Sequence, residues 1–356
     1  MSGTTASPGR WKDWGQTMSL EELAGGVAVL AIIAYTVFGG ADFGGGIWTL
    51  LASGTRKDDQ RNALERAIGP VWETNHVWLI LLVVTLFVAF PTAYAAIFTA
   101  LYVPLFVALL GIVARGAAFA FRHYAGHAGT LSQVSLRLFS AASVITPFTF
   151  GLCIGAVSDG HIEVAGAEIR SGPFAGWLEP FSIVTGLIGL LLCAFLAAAY
   201  MVPRTEGALR DDFRRRAVMA SLALGITTTV AIPVASRDAT DFFEQLDSPE
   251  VLGAIAATAL LGAVTLMALR RGAVRAAPPL AAATAAGVIV AWALAQRPYL
   301  IVPGLSLEQA AAPDVTLESF LLALPAGAAI LVPSLLLLFR TFSRDVYRAG
   351  MPGHDP

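Results

Sequence analysis

The chain has 356 residues, with 23 basic and 25 acidic side chains and a formal net charge of −2. Hydrophobic residues make up 56% and charged residues only 13%, against roughly 45–50% and about 25% in an ordinary soluble domain, and mean hydropathy is +0.69. So few charges could not cover a soluble fold of this size, and the near-neutral balance carries no polyanion-binding signal, so nucleic acid is not an expected partner.

A spanning helix needs about 20 mostly apolar residues. Qualifying runs lie near 22–50, 71–90, 94–122, 135–158, 180–202, 217–236, 250–269, 277–296 and 319–340. The expected fold is therefore all-α, a polytopic membrane bundle of about nine transmembrane helices. Phe90-Pro91-Thr92 reads as a short turn between the second and third, because proline cannot continue a helix without losing a hydrogen bond. Residues 1–21 form a polar N-terminal segment, and the first apolar run has no small-residue cleavage site, so it reads as a retained helix. Residues 22–341 form one transmembrane domain, with a weak suggestion of four-helix halves at 22–158 and 180–296 plus a ninth helix, and 342–356 form a tail.

Basic residues test this division independently. Eighteen of them, among them Arg56, Lys57, Arg115, Arg204, Arg216, Arg270 and Arg340, fall at or beyond the inner ends of the runs, and five (Arg10, Lys12, Arg170, Arg237 and Arg297) fall on the other side. Positive charge is retained in the cytoplasm, which places the N-terminus outside and the C-terminus inside. The outer loops are acidic, with Asp159, Glu163, Glu179, Asp238 and Asp241 among them.

Charged side chains inside such a bundle cost about 2.5–3.5 kcal/mol each at its centre. Asp42 lies in Phe38-Gly-Gly-Ala-Asp-Phe-Gly-Gly-Gly-Ile-Trp48, Glu73 and His76 in Gly69-Pro-Val-Trp-Glu-Thr-Asn-His-Val-Trp78, and Arg115 in Arg115-Gly-Ala-Ala-Phe-Ala-Phe-Arg122. All four sit at similar depth near the cytoplasmic face on three successive helices. One reading is a proton path, since burial raises a carboxylate pKa towards neutrality and histidine titrates there unaided. The other is interfacial snorkelling, with Asp42 simply paired to Arg115. Gly40 and Gly44, like Gly151 and Gly155, have the small-xxx-small spacing of close helix packing. Trp72 and Trp78 suit an aromatic belt or packing.

Cofactor chemistry is sparsely provided for. Cys153 and Cys193 form no metal pair, and no metal site is expected. Of the five histidines (His76, His123, His127, His161 and His354), only His76 sits within a helix at depth, so a haem held by this chain alone is not expected. A secondary transporter with a polar cluster near the inner face is a rival reading, although transporters usually place such residues at the midplane.

Three strings, Gly-Gly-Ala-Asp42-Phe-Gly-Gly-Gly, Ile68-Gly-Pro-Val-Trp-Glu73-Thr-Asn75-His-Val-Trp78 and Arg115-Gly-Ala-Ala-Phe-Ala-Phe-Arg122, resemble subunit II of cytochrome bd-type quinol oxidases. Arg297-Pro-Tyr-Leu-Ile followed by Ala-Ala-Pro313-Asp-Val-Thr-Leu is similar as well. The resemblance implies a respiratory complex of the bacterial cytoplasmic membrane that oxidises quinol and reduces oxygen to water with cytoplasmic protons. It also implies a partner, subunit I, carrying two b-type haems and one d-type haem, with subunit II its haem-free pseudo-twin. A bound quinone or lipid on this subunit, and small accessory membrane subunits beside it, are left open, as is a pure scaffold role. Family members carry acids at the Asp42 and Glu73 positions near a proton-entry route. Here Glu73 stands where aspartate is usual, and Gly39 where a second acid is often found.

Overall fold

The computed structural model describes residues 18–68, 75–125, 130–165 and 168–348. Helix α1 (Leu20–Ala34) starts at Ser19, whose hydroxyl accepts from the Glu22 N–H while the Glu22 carboxylate accepts from the Ser19 N–H. This reciprocal pair serves two amides that would otherwise be bare at a helix start. The helix widens into one π turn over Tyr35–Gly39 and continues as α2 (Gly40–Leu50), giving a first span of Leu20–Leu50. A charged helix, α3 (Lys57–Ile68), follows.

α4 (His76–Ala89) and α5 (Pro91–Ala100) turn by 119° at Phe90, which is the break that Phe90-Pro91-Thr92 suggests. The run 94–122 is not one helix, however. α5 stops at Leu101, whose φ is −107° and ψ 24°, and α6 (Tyr102–Ala125) begins anew. Pro104 accounts for this, since it has no N–H to offer the Ala100 carbonyl. Among the described residues eight helices are long and apolar enough to cross a membrane, or nine if the bent pair α4–α5 counts as one span.

Next come α7 (Thr130–Ala156), the two-residue strands β1 (Val164–Ala165) and β2 (Glu168–Ile169), α8 (Pro180–Met201), α9 (Gly207–Asp238), α10 (Thr240–Gln245), α11 (Pro249–Arg270) and α12 (Ala277–Gln296). Strands β3 (Tyr299–Ile301) and β4 (Leu305–Ser306), the single turn α13 (Leu307–Ala310) and the long α14 (Asp314–Arg348) complete the chain. Pro180, Pro249 and Pro91 open their helices, where the missing N–H costs nothing. Both strand pairs are antiparallel, with Val164 opposite Ile169 and Tyr299 opposite Ser306. They close the end of the bundle where α1 begins, tied by the Val302 N–H to the Val157 carbonyl at 2.9 Å and the Ala312 N–H to the Ala89 carbonyl at 2.8 Å.

The main core gathers Phe43, Ile47 and Trp48 of α2, Leu192 to Ala199 of α8, Phe213 and Ala217 of α9 and Ala277, Ala281 and Ala285 of α12. Gly44 makes this packing close: a Cβ there would overlap the Cys193 carbonyl and Ala197 of α8. Gly40 lies against Cys193 and Leu196, and Gly151 and Gly155 of α7 lie against Thr185, Gly186 and Ser182 of α8. Without a hydrophobic drive between helices in lipid, such backbone approach is what dispersion packing requires.

At the α3 end, Arg56 Nε and Nη2 donate to the two Asp212 oxygens at 2.8 and 2.7 Å. The Gln60 amide donates to the same carboxylate at 3.0 Å, and its oxygen accepts from Arg216 at 2.6 Å. The Arg216 guanidinium also lies 5.2 Å from the Trp48 ring centre, so α3 is clasped to α9 and α2.

At the other end Asp159, just beyond α7, is fully buried. Its carboxylate accepts from the His161 N–H at 3.0 Å and the Ser182 hydroxyl at 3.2 Å, and the His161 ring nitrogen Nδ1 lies 3.4 Å away. Asp238 of α9 accepts from the Phe181 N–H at the start of α8 at 2.7 Å. Burial pushes the Asp159 carboxyl up from 3.8 to about 7, with the His161 and Ser182 contacts opposing the rise and Asp238 adding to it.

Two outcomes follow from this packing. Gly44→Val is expected to destabilise the protein by about 1–3 kcal/mol through overpacking, read as a lower melting temperature, while Gly253→Ala, where a Cβ meets nothing within 4 Å, is not. The raised Asp159 pKa means that the folded state holds this proton more tightly than the unfolded one. Its cost to stability is absent below about pH 4 and complete above about pH 7. Melting temperature should therefore fall over that window, and Asp159→Asn should flatten the slope; an unchanged slope would contradict the assignment.

Candidate functional site

The three sequence strings meet where the π turn, the start of α4 and the middle of α6 converge. Asp42, in the first turn of α2, is 6% exposed. One of its carboxylate oxygens, Oδ2, accepts a hydrogen bond from the Asn75 side-chain amide. Asn75 immediately precedes α4 and is itself buried. Arg115 of α6 is 2% exposed, with its guanidinium carbon 4.9 Å from the Phe43 ring centre and 5.1 Å from that of Phe139. Aromatic faces attract a cation in a medium where water does not compete. Asp42 and Arg115 are near enough for their charges to act on each other, and no direct ion pair joins them. Two guanidinium nitrogens, Nε and Nη2, are buried with no hydrogen-bond partner among the described residues.

His76 opens α4, and its ring centre lies 6.1 Å from that of Tyr35. Asp42, His76 and Arg115 are thus brought into one region. Trp78 stacks on Phe38 at 6.0 Å. Glu73 and Trp72 lie outside the described residues, as do His127, His354 and the side chain of His123.

Sequence reasoning passed over four contributors. Asn75 was visible as an amide in a motif string but drew no role, although a lone amide beside an apolar run has to bond something. Phe43 and Phe139 are the aromatic faces that house the arginine, and one of them comes from α7, which no local pattern links to Arg115. Tyr35 is the fourth, held at the π turn by edge-on contacts with Phe43 and Phe150 at 6.3 and 5.9 Å.

A cavity of about 640 Å³ runs beside this cluster, from Glu22 and Arg297 at one end to Tyr35, Thr36 and Phe43 at the other. Glu22 and Arg297 form an ion pair at its mouth. The wall is overwhelmingly apolar and none of its side chains is a histidine; the sulfur atoms of Met18, Cys153 and Cys193 are the softest donors present. That set does not suit a haem held by axial imidazoles. On the far end, His161, Glu179 and Asp238 bring one potential ligand atom each within 4.8 Å of the others, a grouping absent from the sequence reading, which treated the outer acids only as loop charge.

Comparisons with known proteins now bear on the cluster. The family model for cytochrome bd terminal oxidase subunit II matches residues 20–342. The chain is 29% identical to cytochrome bd ubiquinol oxidase subunit 2 of Bacillus subtilis over 61% of its own length and 62% of that protein's. It is 27% identical to cytochrome bd-I ubiquinol oxidase subunit 2 of Escherichia coli K12 over 54% and 50% of the two lengths. The chain thus aligns with between half and two thirds of these relatives. Its fold is shared with a chain of the bd oxidase structure from Geobacillus thermodenitrificans, with a TM-score of 0.76 over 91% of this chain and 99% of that one at 21% identity. With a match extending from the first helix into the last, the chain belongs to the cytochrome bd terminal oxidase subunit II family.

Proposed function

We propose that this multi-pass membrane protein is the haem-free subunit II of a bd-type quinol oxidase and that it delivers protons from the cytoplasm. Its partner, subunit I, would carry the two b-type haems and the d-type haem, oxidise quinol and reduce oxygen to water. The protein would lie in the bacterial cytoplasmic membrane with its N-terminus outside, so that the α3 end, rich in arginine, faces the cytoplasm. The observation that carries the proton role is the Asp42 carboxylate. It is buried in a membrane span, bonded on one oxygen by Asn75, and accompanied by an arginine that does not directly pair with it.

A carboxylate locked in a bidentate ion pair cannot exchange its proton, whereas one held by a neutral amide can. Arg115 lies near enough for its charge to act on the carboxylate, and the rings of Phe43 and Phe139 receive its guanidinium. Glu73, placed by its motif at the head of α4, would be the entry acid from the cytoplasm, with His76 beside it. The cavity, too large and too apolar to remain open, is suited to the tail of a bound quinone or lipid, with the Glu22–Arg297 pair at its polar mouth.

The test is turnover of the assembled two-subunit complex with quinol. Asp42→Asn and Glu73→Gln are each expected to lower it by about 10²-fold or more while haem content stays normal. Full turnover in both would remove the proton role, and a loss of haem in proportion to activity would indicate a scaffold instead.

A further inference from the structure

His161, Glu179 and Asp238 meet at the end of the bundle opposite α3, and nothing above gives them a task together. They arrive from three segments: the turn after α7, the residue before α8 and the last residue of α9. One ligand atom from each lies within 4.8 Å of the other two, and among the described residues no other three such donors meet in this way.

The helix ends account for Asp238 but not for Glu179. Glu179 stands at the N-cap of α8, where a side-chain oxygen ordinarily takes a helix amide, yet its carboxylate makes no such bond. The Phe181 N–H instead donates to Asp238 Oδ2 at 2.7 Å, which leaves Oδ1 of Asp238 and both oxygens of Glu179 for another contact. No arginine or lysine among the described residues forms an ion pair with either acid. Two carboxylates brought together without a cation repel each other, so their meeting weakens the fold unless a positive charge joins them.

The histidine supplies a separate sign. Its Nδ1 lies 3.4 Å from the carboxylate of Asp159, whose side chain is fully buried. Asp159 is itself fixed by the Ser182 hydroxyl at 3.2 Å and the His161 N–H at 3.0 Å. A buried carboxylate facing one ring nitrogen holds the proton there and leaves the lone pair on the other. Histidines that ligate metals are oriented in this manner. His161 is the exposed member of the set and the two acids are half-buried, so an ion can enter from water.

We propose that His161, Glu179 and Asp238 form a binding site for a divalent transition-metal ion of the zinc class. One imidazole nitrogen and two carboxylate oxygens are donors that zinc accepts, with water in the fourth position. Calcium and magnesium take oxygen ligands, so the imidazole counts against them. The two carboxylates balance the charge of the ion. Ligand atoms around tetrahedral zinc stand about 3.4 Å apart, so the set has to close by at most about 1.4 Å, which the flexible Glu179 side chain can supply. An ion held there clips the end of α7, the start of α8 and the end of α9 together. The site is structural, and it stands independently of the part played by Asp42.

The test uses the complete two-subunit oxidase, stripped with EDTA and titrated with zinc chloride. The unaltered complex should bind one zinc more than complexes carrying Glu179→Gln or His161→Gln. Saturating zinc should raise its melting temperature by about 2 °C or more, and the rise should vanish in both variants. Asp159→Asn, which removes no ligand, should weaken zinc binding about 10–100-fold, an effect that a role in packing alone would not produce. Equal zinc binding by the unaltered complex and both variants overturns the site, as does binding only at millimolar zinc. An equal rise in melting temperature with calcium chloride overturns the zinc-class assignment. Should His161→Gln fail to assemble, Glu179→Gln decides alone, since that carboxylate caps no amide of α8.

Discussion

Placing an acid and a base in a membrane span without letting them collapse onto each other is the constraint around which this bundle is organised. Coulomb attraction at low dielectric is strong, and an unsupported pair would close into a contact that exchanges protons poorly. Here the attraction is divided. Asn75 takes one carboxylate oxygen of Asp42, and the rings of Phe43 and Phe139 receive the Arg115 guanidinium. These partners come from α2, α6, α7 and the residue before α4, so the spacing of the charges depends on the packing of four separate segments. That packing depends in turn on glycines such as Gly44, which bring α2 against α8.

The π turn is the local device that sets the register. A π turn takes up one residue more than an α turn, which rotates the following helix by about 100° relative to the first. In α1 the buried positions are Ala24, Ala28, Ala31 and Ala34, a narrow stripe, whereas nearly every residue from Gly39 to Thr49 is buried. The rotation thus turns a helix with a single buried stripe into a central one just before Asp42. The Tyr200 hydroxyl, donating to the Val37 carbonyl at 3.2 Å, fastens α8 to this turn.

Much of this was legible in the chain, and the limits have physical causes. Apolar run length locates spans because the bilayer sets a fixed thickness, and Pro91 marks a break because its missing N–H acts locally. The second break, at Leu101, rests on Pro104 and was overlooked because the surrounding run is uniformly apolar. Asp42, His76 and Arg115 stood out as charges in oil, and depth from the topology sufficed to group them. What no linear pattern carried was contact between distant helices: Phe139 beneath Arg115, Arg56 with Asp212, Glu22 with Arg297 and Asp159 with Ser182. Such pairs are fixed by helix crossing, for which the sequence has no period.

The two ends of the cavity show how the charged cluster and the apolar wall belong to one design. Its mouth is held by an ion pair joining α1 to the segment after α12, and its inner end by the aromatic group around Tyr35. Both ends are thus anchored on the single span Leu20–Leu50, so a change in what occupies the cavity bears on the helix that carries Asp42. Dense interiors transmit such displacement because they do not compress. The π turn lines the cavity through Tyr35 and Thr36 and leads directly into the helix that carries Asp42.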